Sequence, residues 1–259
     1  MNVGERDELL VQMKLIALRD SNATTNQFGQ INDIGFPEQY KSLPSGFHLE
    51  SLLKYSDQDL KQFANTLGIN KAGILMKADT IINKKAVSIK SNKKAPPALV
   101  NHTTRPGFEF AALHSGGSID ALDQIINDYW MKRKSSLIGE DVKNSSKDSP
   151  FVKNKSILYP FLNFFLFKGT GSRLSKMPAE IILSFTDPFD TATWSIYDET
   201  NAVNVYWEKL IFSVRAKKGM PAGYPIVSAK MMPYKSSIEK WTEFIDGDYR
   251  GALHIRSVR

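Results

Sequence analysis

The segment KADTIINKKAVSIKS, residues 77–91, carries an acid, a serine and a lysine at spacings that could bring them together. Its apolar runs predict two short strands joined by a lysine-containing turn. A hairpin whose other residues are mostly apolar or small has no structural need for Asp79 and Lys90. A carboxylate beside an ammonium group is suited to a metal site that hydrolyses a phosphodiester.

The turn decides which of these residues face each other. A two-residue turn at Lys84-Lys85 would pair Asp79 with Lys90, and a four-residue turn would pair Asp79 with Ser88. Either register puts all three polar groups on one face, with directly paired Cβ atoms about 5 Å apart. A three-residue turn would pair Asp79 with Ile89 and is disfavoured. Spacing alone still favours a simpler interpretation, a surface ion pair in an ordinary hairpin.

Phosphodiester hydrolysis explains why these residue types would be useful together. A hard cation such as Mg²⁺ takes oxygen ligands, usually one or two carboxylates with waters and phosphate. It neutralises charge on the phosphate and makes a water molecule more acidic. The ammonium group of Lys90 would then stabilise the negative charge that develops in the transition state.

The same residues resemble a known family. Asp79 followed by SIK (Ser88-Ile89-Lys90) is similar to the motif of the PD-(D/E)XK nuclease superfamily, and SIKS with Leu99, Asn101 and Phe108 resembles the catalytic segment of a group of type II restriction endonucleases. The start of the chain, NVGERDELL, is similar to the N-x-G-E-x-x-E-L start of that group. The resemblance covers residues 1–110, and the rest of the chain matches only in general character.

This resemblance implies a Mg²⁺-dependent, sequence-specific double-stranded DNA endonuclease from a restriction–modification system. Asp79 corresponds to the metal-binding acid, Lys90 to the catalytic lysine, and the backbone carbonyl of Ile89 to a further metal ligand. Ser88 departs from the pattern, because many members have a second carboxylate there and a hydroxyl is a poor Mg²⁺ ligand. The alternatives are a DNA-binding protein of the same fold that has lost catalysis and a repair nuclease that recognises DNA structure.

Another acid should therefore supply the missing charge. Glu8 is the first candidate, because related folds bring a glutamate from the N-terminal helix to the site; a solvated helix-face carboxylate is an equal alternative. Glu5 lies one helical turn from Glu8 and is a further possible acid. Glu109 is the second candidate, although an ordinary surface role explains it better.

DNA contacts are expected close to the chemistry. Lys93, Lys94, Asn101, His102 and Arg105 flank the hairpin and carry groups suited to phosphates and base edges. The expected partner is double-stranded DNA. A homodimer would match a palindromic target, and a cognate DNA methyltransferase is expected as a functional partner.

Composition agrees with a polyanionic partner. The 259 residues include 34 Lys and Arg against 27 Asp and Glu, a formal net charge of +7, which favours nucleic acid over a membrane surface. The absence of cysteine excludes disulfides, thiol catalysis and cysteine-ligated zinc. The first residues are charged and lack the apolar core of a signal peptide, so we expect a cytoplasmic protein without a membrane anchor.

Periodicity predicts an α/β (α+β) fold, with a restriction-endonuclease-like mixed central sheet flanked by helices. Helices are predicted at residues 3–19, between a cap at Ser56 and Gly68, and at residues 118–134. Strands are predicted in the hairpin and in five later segments: AEIILSF, TATWSIYD, AVNVYW, KLIFSVR and GALHIRSVR. We expect a single endonuclease domain over residues 1–259, with a polar loop or possible sub-domain boundary near residues 139–156.

Overall fold

The structure is a computed structural model that describes residues 1–70, 76–93, 98–216 and 235–258. Its helices are α1 (Val3–Asp20), α2 (Asp57–Thr66), α3 (Arg105–Ser115), α4 (Ile119–Lys134), α5 (Lys155–Asn163), α6 (Ala202–Trp207) and α7 (Lys235–Glu239). Its strands are β1 (Thr24–Thr25), β2 (Gly29–Gln30), β3 (Thr80–Ile82), β4 (Lys85–Ser91), β5 (Ala98–Thr104), β6 (Val142–Lys143), β7 (Gly169–Thr170), β8 (Arg173–Leu174), β9 (Ile181–Phe185), β10 (Ser195–Asp198), β11 (Leu210–Arg215), β12 (Glu243–Ile245), β13 (Asp248–Arg250) and β14 (Ala252–Ser257). The chain is thus a mixed α and β protein, as predicted. None of the described helices combines the length and apolar character that a membrane crossing needs.

The chain forms two compact units. Unit 1 comprises Met1–Ala95 and Ser175–Glu199, and unit 2 comprises Pro96–Leu174 and Thr200–Arg259. The possible boundary predicted at residues 139–156 lies inside unit 2, so the chain does not divide there. The reason is that this polar segment carries Phe151, which is fully buried and stacks on Phe212 with 4.1 Å between ring centroids.

Unit 1 is built on a mixed four-stranded sheet in the order β10-β9-β4-β3, in which only the β4–β9 pair is parallel. Helix α1 supplies Leu10, Met13 and Ile16 to the core that also contains Val87 and Ile89 of β4. Because side chains alternate along a strand, Ser88 and Lys90 lie on the face of β4 opposite to Val87 and Ile89.

The predicted helices begin at side-chain caps. Asn2 accepts a hydrogen bond from the Glu5 backbone N–H (2.9 Å) at the start of α1, and Ser56 accepts one from the Asp59 backbone N–H (3.1 Å) at the start of α2. Ser118 caps α4 in the same way. Each cap satisfies an N–H group that has no partner within its helix, which fixes where the helix begins.

Unit 2 contains an antiparallel four-stranded sheet in the order β5-β14-β11-β6. Strands β9, β10, β11 and β14 occupy segments that periodicity predicted as strands. The strand predicted at AVNVYW is wrong, because residues 202–207 form α6. Its buried residues, Ala202, Val203, Tyr206 and Trp207, recur at the spacing of one helix face rather than at every second position.

Candidate functional site

The hairpin closes through a two-residue turn at Asn83-Lys84, where both residues have positive φ angles (47° and 68°). Two positive φ values are typical of type I′ turns, for which asparagine is a favoured first residue. The side chain of Asn83 accepts a hydrogen bond from the Asn32 backbone N–H (2.9 Å), which holds the turn in place. The turn predicted at Lys84-Lys85 is therefore wrong by one residue. The observed ladder ends at the pair of Thr80 with Val87, and the Asp79 backbone N–H also donates to Val87 O (2.8 Å), so Asp79 lies beside Ser88 and not opposite Lys90.

Asp79 is fixed through one of its two carboxylate oxygens. Oδ2 accepts hydrogen bonds from the Ile89 backbone N–H (2.7 Å) and from Ser88 Oγ (3.2 Å). Both hydrogen bonds that the described residues donate to this carboxylate end on Oδ2, which leaves Oδ1 available to a ligand. Ser88, 1% exposed, thus orients the acid rather than adding a second charge.

The ladder between the two hairpin strands is broken beside Asp79. The last regular pair is Thr80 with Val87, and the Asp79 N–H also donates to Val87 O (2.8 Å), so the ladder does not continue to Ala78. Instead the Ala78 N–H donates to Met177 O (3.2 Å), and the Ile89 N–H donates to the Asp79 side chain. The N–H and C=O of one residue point to the same edge of an antiparallel pair, so the Ile89 carbonyl faces the edge where Asp79 lies.

Two lysines accompany this acid, and sequence reasoning identified one of them. Lys90 is half-buried on β4, two residues after Ser88. Lys77 is also half-buried. Burial, and then the positive charge of Lys90, lowers the pKa of Lys77 to about 8, while the charge of Asp79 acts in the opposite direction. Lys77 is therefore close to both residues, and its spacing of two from Asp79 was the available signal.

Helix α1 brings a different acid to β4 from those expected. Asp7 is 3% exposed, and its Oδ2 accepts a hydrogen bond from Ser91 Oγ (2.8 Å). Glu5 completes the cap of α1, since its Oε2 accepts the Asn2 backbone N–H (3.1 Å). Glu5 thus has a helix-capping role, which the pattern N-x-x-E could have indicated, and the role of extra acid stays a prediction for it. Glu8 is half-buried on α1, and its part in the site stays a prediction.

The donor set restricts the kind of metal site. Among the described residues, no group of three or more His, Cys, Asp or Glu side chains could hold a metal ion. The hairpin offers instead Oδ1 of Asp79, to which none of the described residues donates a hydrogen bond, and the carbonyl of Ile89. These are oxygen ligands, which fit Mg²⁺, because Mg²⁺ is usually held by one or two carboxylates and otherwise keeps water or binds phosphate.

Arg105 and Glu109 belong to an ion cluster in unit 2. Arg105 is 3% exposed and makes a bidentate contact with Asp123 (2.6 and 2.7 Å), in addition to contacts with Glu109 and Ser237. The hydrogen bonds that Arg105 donates to Asp123 raise the pKa of Arg105. The DNA contact predicted for Arg105 is wrong, since its donors are buried and used. Glu109 is paired with this arginine, which explains its charge without a metal.

The remaining predicted DNA-binding residues are more accessible. Lys93 and Asn101 are exposed, and Lys94 lies outside the described residues. His102 is half-buried at an irregularity of β5, with a φ of 42° and its ring 4.5 Å from that of His254. The contacts of Lys93, Asn101 and His102 with DNA stay predictions.

Comparisons with protein-family models, with curated proteins and with solved structures find no match to this chain.

Proposed function

We propose that the protein is a Mg²⁺-dependent, sequence-specific double-stranded DNA endonuclease of the type II restriction class, with a restriction-endonuclease-like fold. The observation that carries the proposal is the end of the β3–β4 ladder at Asp79, where the Ile89 N–H donates to the Asp79 side chain and not to a backbone carbonyl. Oδ1 of Asp79 and the carbonyl of Ile89 therefore lie at the same edge of β4, and Lys90 is the next residue of this strand. An acid, a carbonyl and a lysine at one edge are the groups that phosphodiester hydrolysis needs.

Each residue has a role that follows from its contacts. Oδ1 of Asp79 and the Ile89 carbonyl would hold Mg²⁺, and Ser88 Oγ keeps the carboxylate oriented through Oδ2. Mg²⁺, when bound, would supply charge neutralisation and a more acidic water. The ammonium group of Lys90 would contact a phosphate oxygen and stabilise the charge of the transition state. Lys93, Lys94, Asn101 and His102 are proposed to contact DNA.

The serine at position 88 favours one alternative. With Ser88 in place of an acid, the hairpin contributes a single carboxylate, and Glu8 is the proposed source of a second. If no second acid reaches the site, the protein would be a DNA-binding protein of this fold that does not cut.

The test is to incubate purified protein with unmodified phage DNA and Mg²⁺, with and without a chelator, and to analyse the DNA on a gel. Discrete bands that the chelator abolishes support a restriction enzyme. A smear indicates a nuclease without sequence specificity, and a mobility shift without cutting indicates a binding protein.

Lys90→Ala should reduce the cleavage rate by about 10²–10³, the typical effect of removing one preorganised charge donor. Lys85→Ala is the matched control, because Lys85 is an exposed lysine at the other end of β4. Cleavage by Lys90→Ala at the wild-type rate would remove the main support for the proposal.

A further inference from the structure

A cavity of about 590 Å³ lies in unit 2 and is lined by Lys153, Lys155, Ser156 and Tyr159. Three of these residues belong to α5, and Lys153 immediately precedes that helix. Cavities that hold small organic ligands in proteins measure about 300–1,000 Å³. The size of this cavity therefore suits an organic molecule better than a single inorganic ion.

The charged groups of this cavity are all cationic. Lys153 is exposed and Lys155 is half-buried, and neither ammonium group forms an ion pair with a residue in the described part of the chain. The first turn of α5 contains no acidic residue. The exposed hydroxyl of Ser156 makes no hydrogen bond within the same part of the chain. Two ammonium groups and a hydroxyl without an acid beside them favour an anionic ligand.

Aromatic side chains give the cavity a second character. Nζ of Lys155 lies 5.6 Å from the ring centroid of the buried Trp207, which is the range of a cation–π contact and holds this ammonium group in place. The hydroxyl of Tyr159 donates a hydrogen bond to Thr200 O (3.3 Å), which fixes the half-buried ring at the cavity wall. A fixed aromatic ring is a surface on which a nucleic-acid base can stack.

We propose that this cavity binds a nucleotide. The phosphate contacts the ammonium groups of Lys153 and Lys155 and the hydroxyl of Ser156, because charge-assisted hydrogen bonds are the stronger kind. The base stacks on the ring of Tyr159, a contact that every base can make. The site requires neither a metal nor Asp79, so it goes beyond the proposed endonuclease. The nucleotide is either free in solution or part of a DNA strand, since both present the same phosphate and base.

The site is tested by calorimetric titration in a chelator with deoxyadenosine monophosphate, with inorganic phosphate and with deoxyadenosine. The nucleotide should bind with a Kd of about 1 mM or below, and roughly tenfold more tightly than either of its parts. Lys155→Met should weaken nucleotide binding by roughly tenfold, whereas Lys155→Arg should keep it within a few fold because it retains the charge. Lys85→Met, which removes an exposed lysine of unit 1, is the control and should bind the nucleotide as the wild type does.

Substitution of Tyr159 separates the contact with the base from the contact with the phosphate. Tyr159→Leu should weaken binding of the nucleotide by roughly tenfold and leave binding of inorganic phosphate unchanged, whereas Tyr159→Phe keeps the ring and should bind the nucleotide within a few fold of the wild type. No binding of the nucleotide at about 10 mM, or equal binding by the wild type and Lys155→Met, would overturn the inference.

Competition distinguishes the two sources of the nucleotide. If the nucleotide displaces a labelled oligonucleotide, and Lys155→Met weakens the binding of both, the cavity takes a nucleotide of a DNA strand. If the nucleotide binds and the oligonucleotide stays bound, the cavity takes a free nucleotide. The outcome is independent of cleavage: binding of the nucleotide by a protein that cuts no DNA refutes only the endonuclease, and discrete DNA bands without nucleotide binding refute only this site.

Discussion

Replacement of Asp79 should separate its structural role from its chemical role. Asp79→Ala removes the acceptor of the Ile89 N–H (2.7 Å) and of Ser88 Oγ (3.2 Å). A hydrogen bond to a charged group contributes about 1.5–3 kcal/mol, and the second bond is long. Because Asp79 is half-buried, we expect the free energy of unfolding to fall by about 2–4 kcal/mol.

Asp79→Asn is the matched variant. The amide oxygen can still accept the Ile89 N–H, so this variant should lose about 1 kcal/mol or less. It lacks the carboxylate charge, however, and should cut DNA no faster than background at any Mg²⁺ concentration. Both variants should retain binding to DNA in a gel shift, because other residues supply most of the phosphate contacts.

The assays are urea denaturation at neutral pH and cleavage of phage DNA. Equal loss of stability in Asp79→Ala and Asp79→Asn would show that the bonds to Oδ2 do not hold β4 in place. Cleavage by Asp79→Asn at the wild-type rate would show that the carboxylate is not a metal ligand.

Three further predictions concern Arg105, the acids Glu5 and Glu8 of α1, and the pH dependence of stability. Arg105→Met should lower the free energy of unfolding in urea by about 1.5–3 kcal/mol, because Asp123 loses the two charge-assisted hydrogen bonds from Arg105 and keeps the one from Trp241, while DNA affinity of the folded protein stays constant. Glu5→Gln preserves the helix cap and should leave the Mg²⁺ concentration required for cleavage unchanged. Glu8→Gln should raise that concentration. The reverse result would assign the role of second metal-binding acid to Glu5. Burial and then the charge of His102 lower the pKa of His254 to about 4 from 6.5. The unfolded chain therefore binds the proton first, so stability is full above pH 6.5 and falls between pH 6.5 and 4 by up to roughly 3 kcal/mol. His254→Gln should flatten that slope in pH-dependent melting, and the exposed His114→Gln should not.

Several features were determined by the sequence itself. Asn2, Ser56 and Ser118 mark the beginnings of α1, α2 and α4, because a cap acts on backbone groups within one helical turn. Alternation along β4 likewise put Ser88 and Lys90 on one face whatever the turn. These signals depend on neighbouring residues, so they can be read without knowledge of the fold.

The turn and the partners of the charged residues depended on the tertiary structure. Asn83 takes its place in the turn because Asn32, a residue distant in sequence, donates to its side chain. Arg105 is withdrawn from solvent by Asp123 and Ser237, and α1 presents Asp7 to β4 while Glu5 caps the helix.

Residue type and spacing therefore identified a carboxylate and a lysine on one strand face. Only the tertiary structure decided which oxygen of Asp79 is already used, where the β3–β4 ladder ends and which second lysine is nearby. The physical reason is that a buried polar group must find a partner, and that partner is selected by the packing of segments far apart in the chain. Lys77 N–H and Ala78 N–H, for example, are satisfied by Met177, about a hundred residues further along.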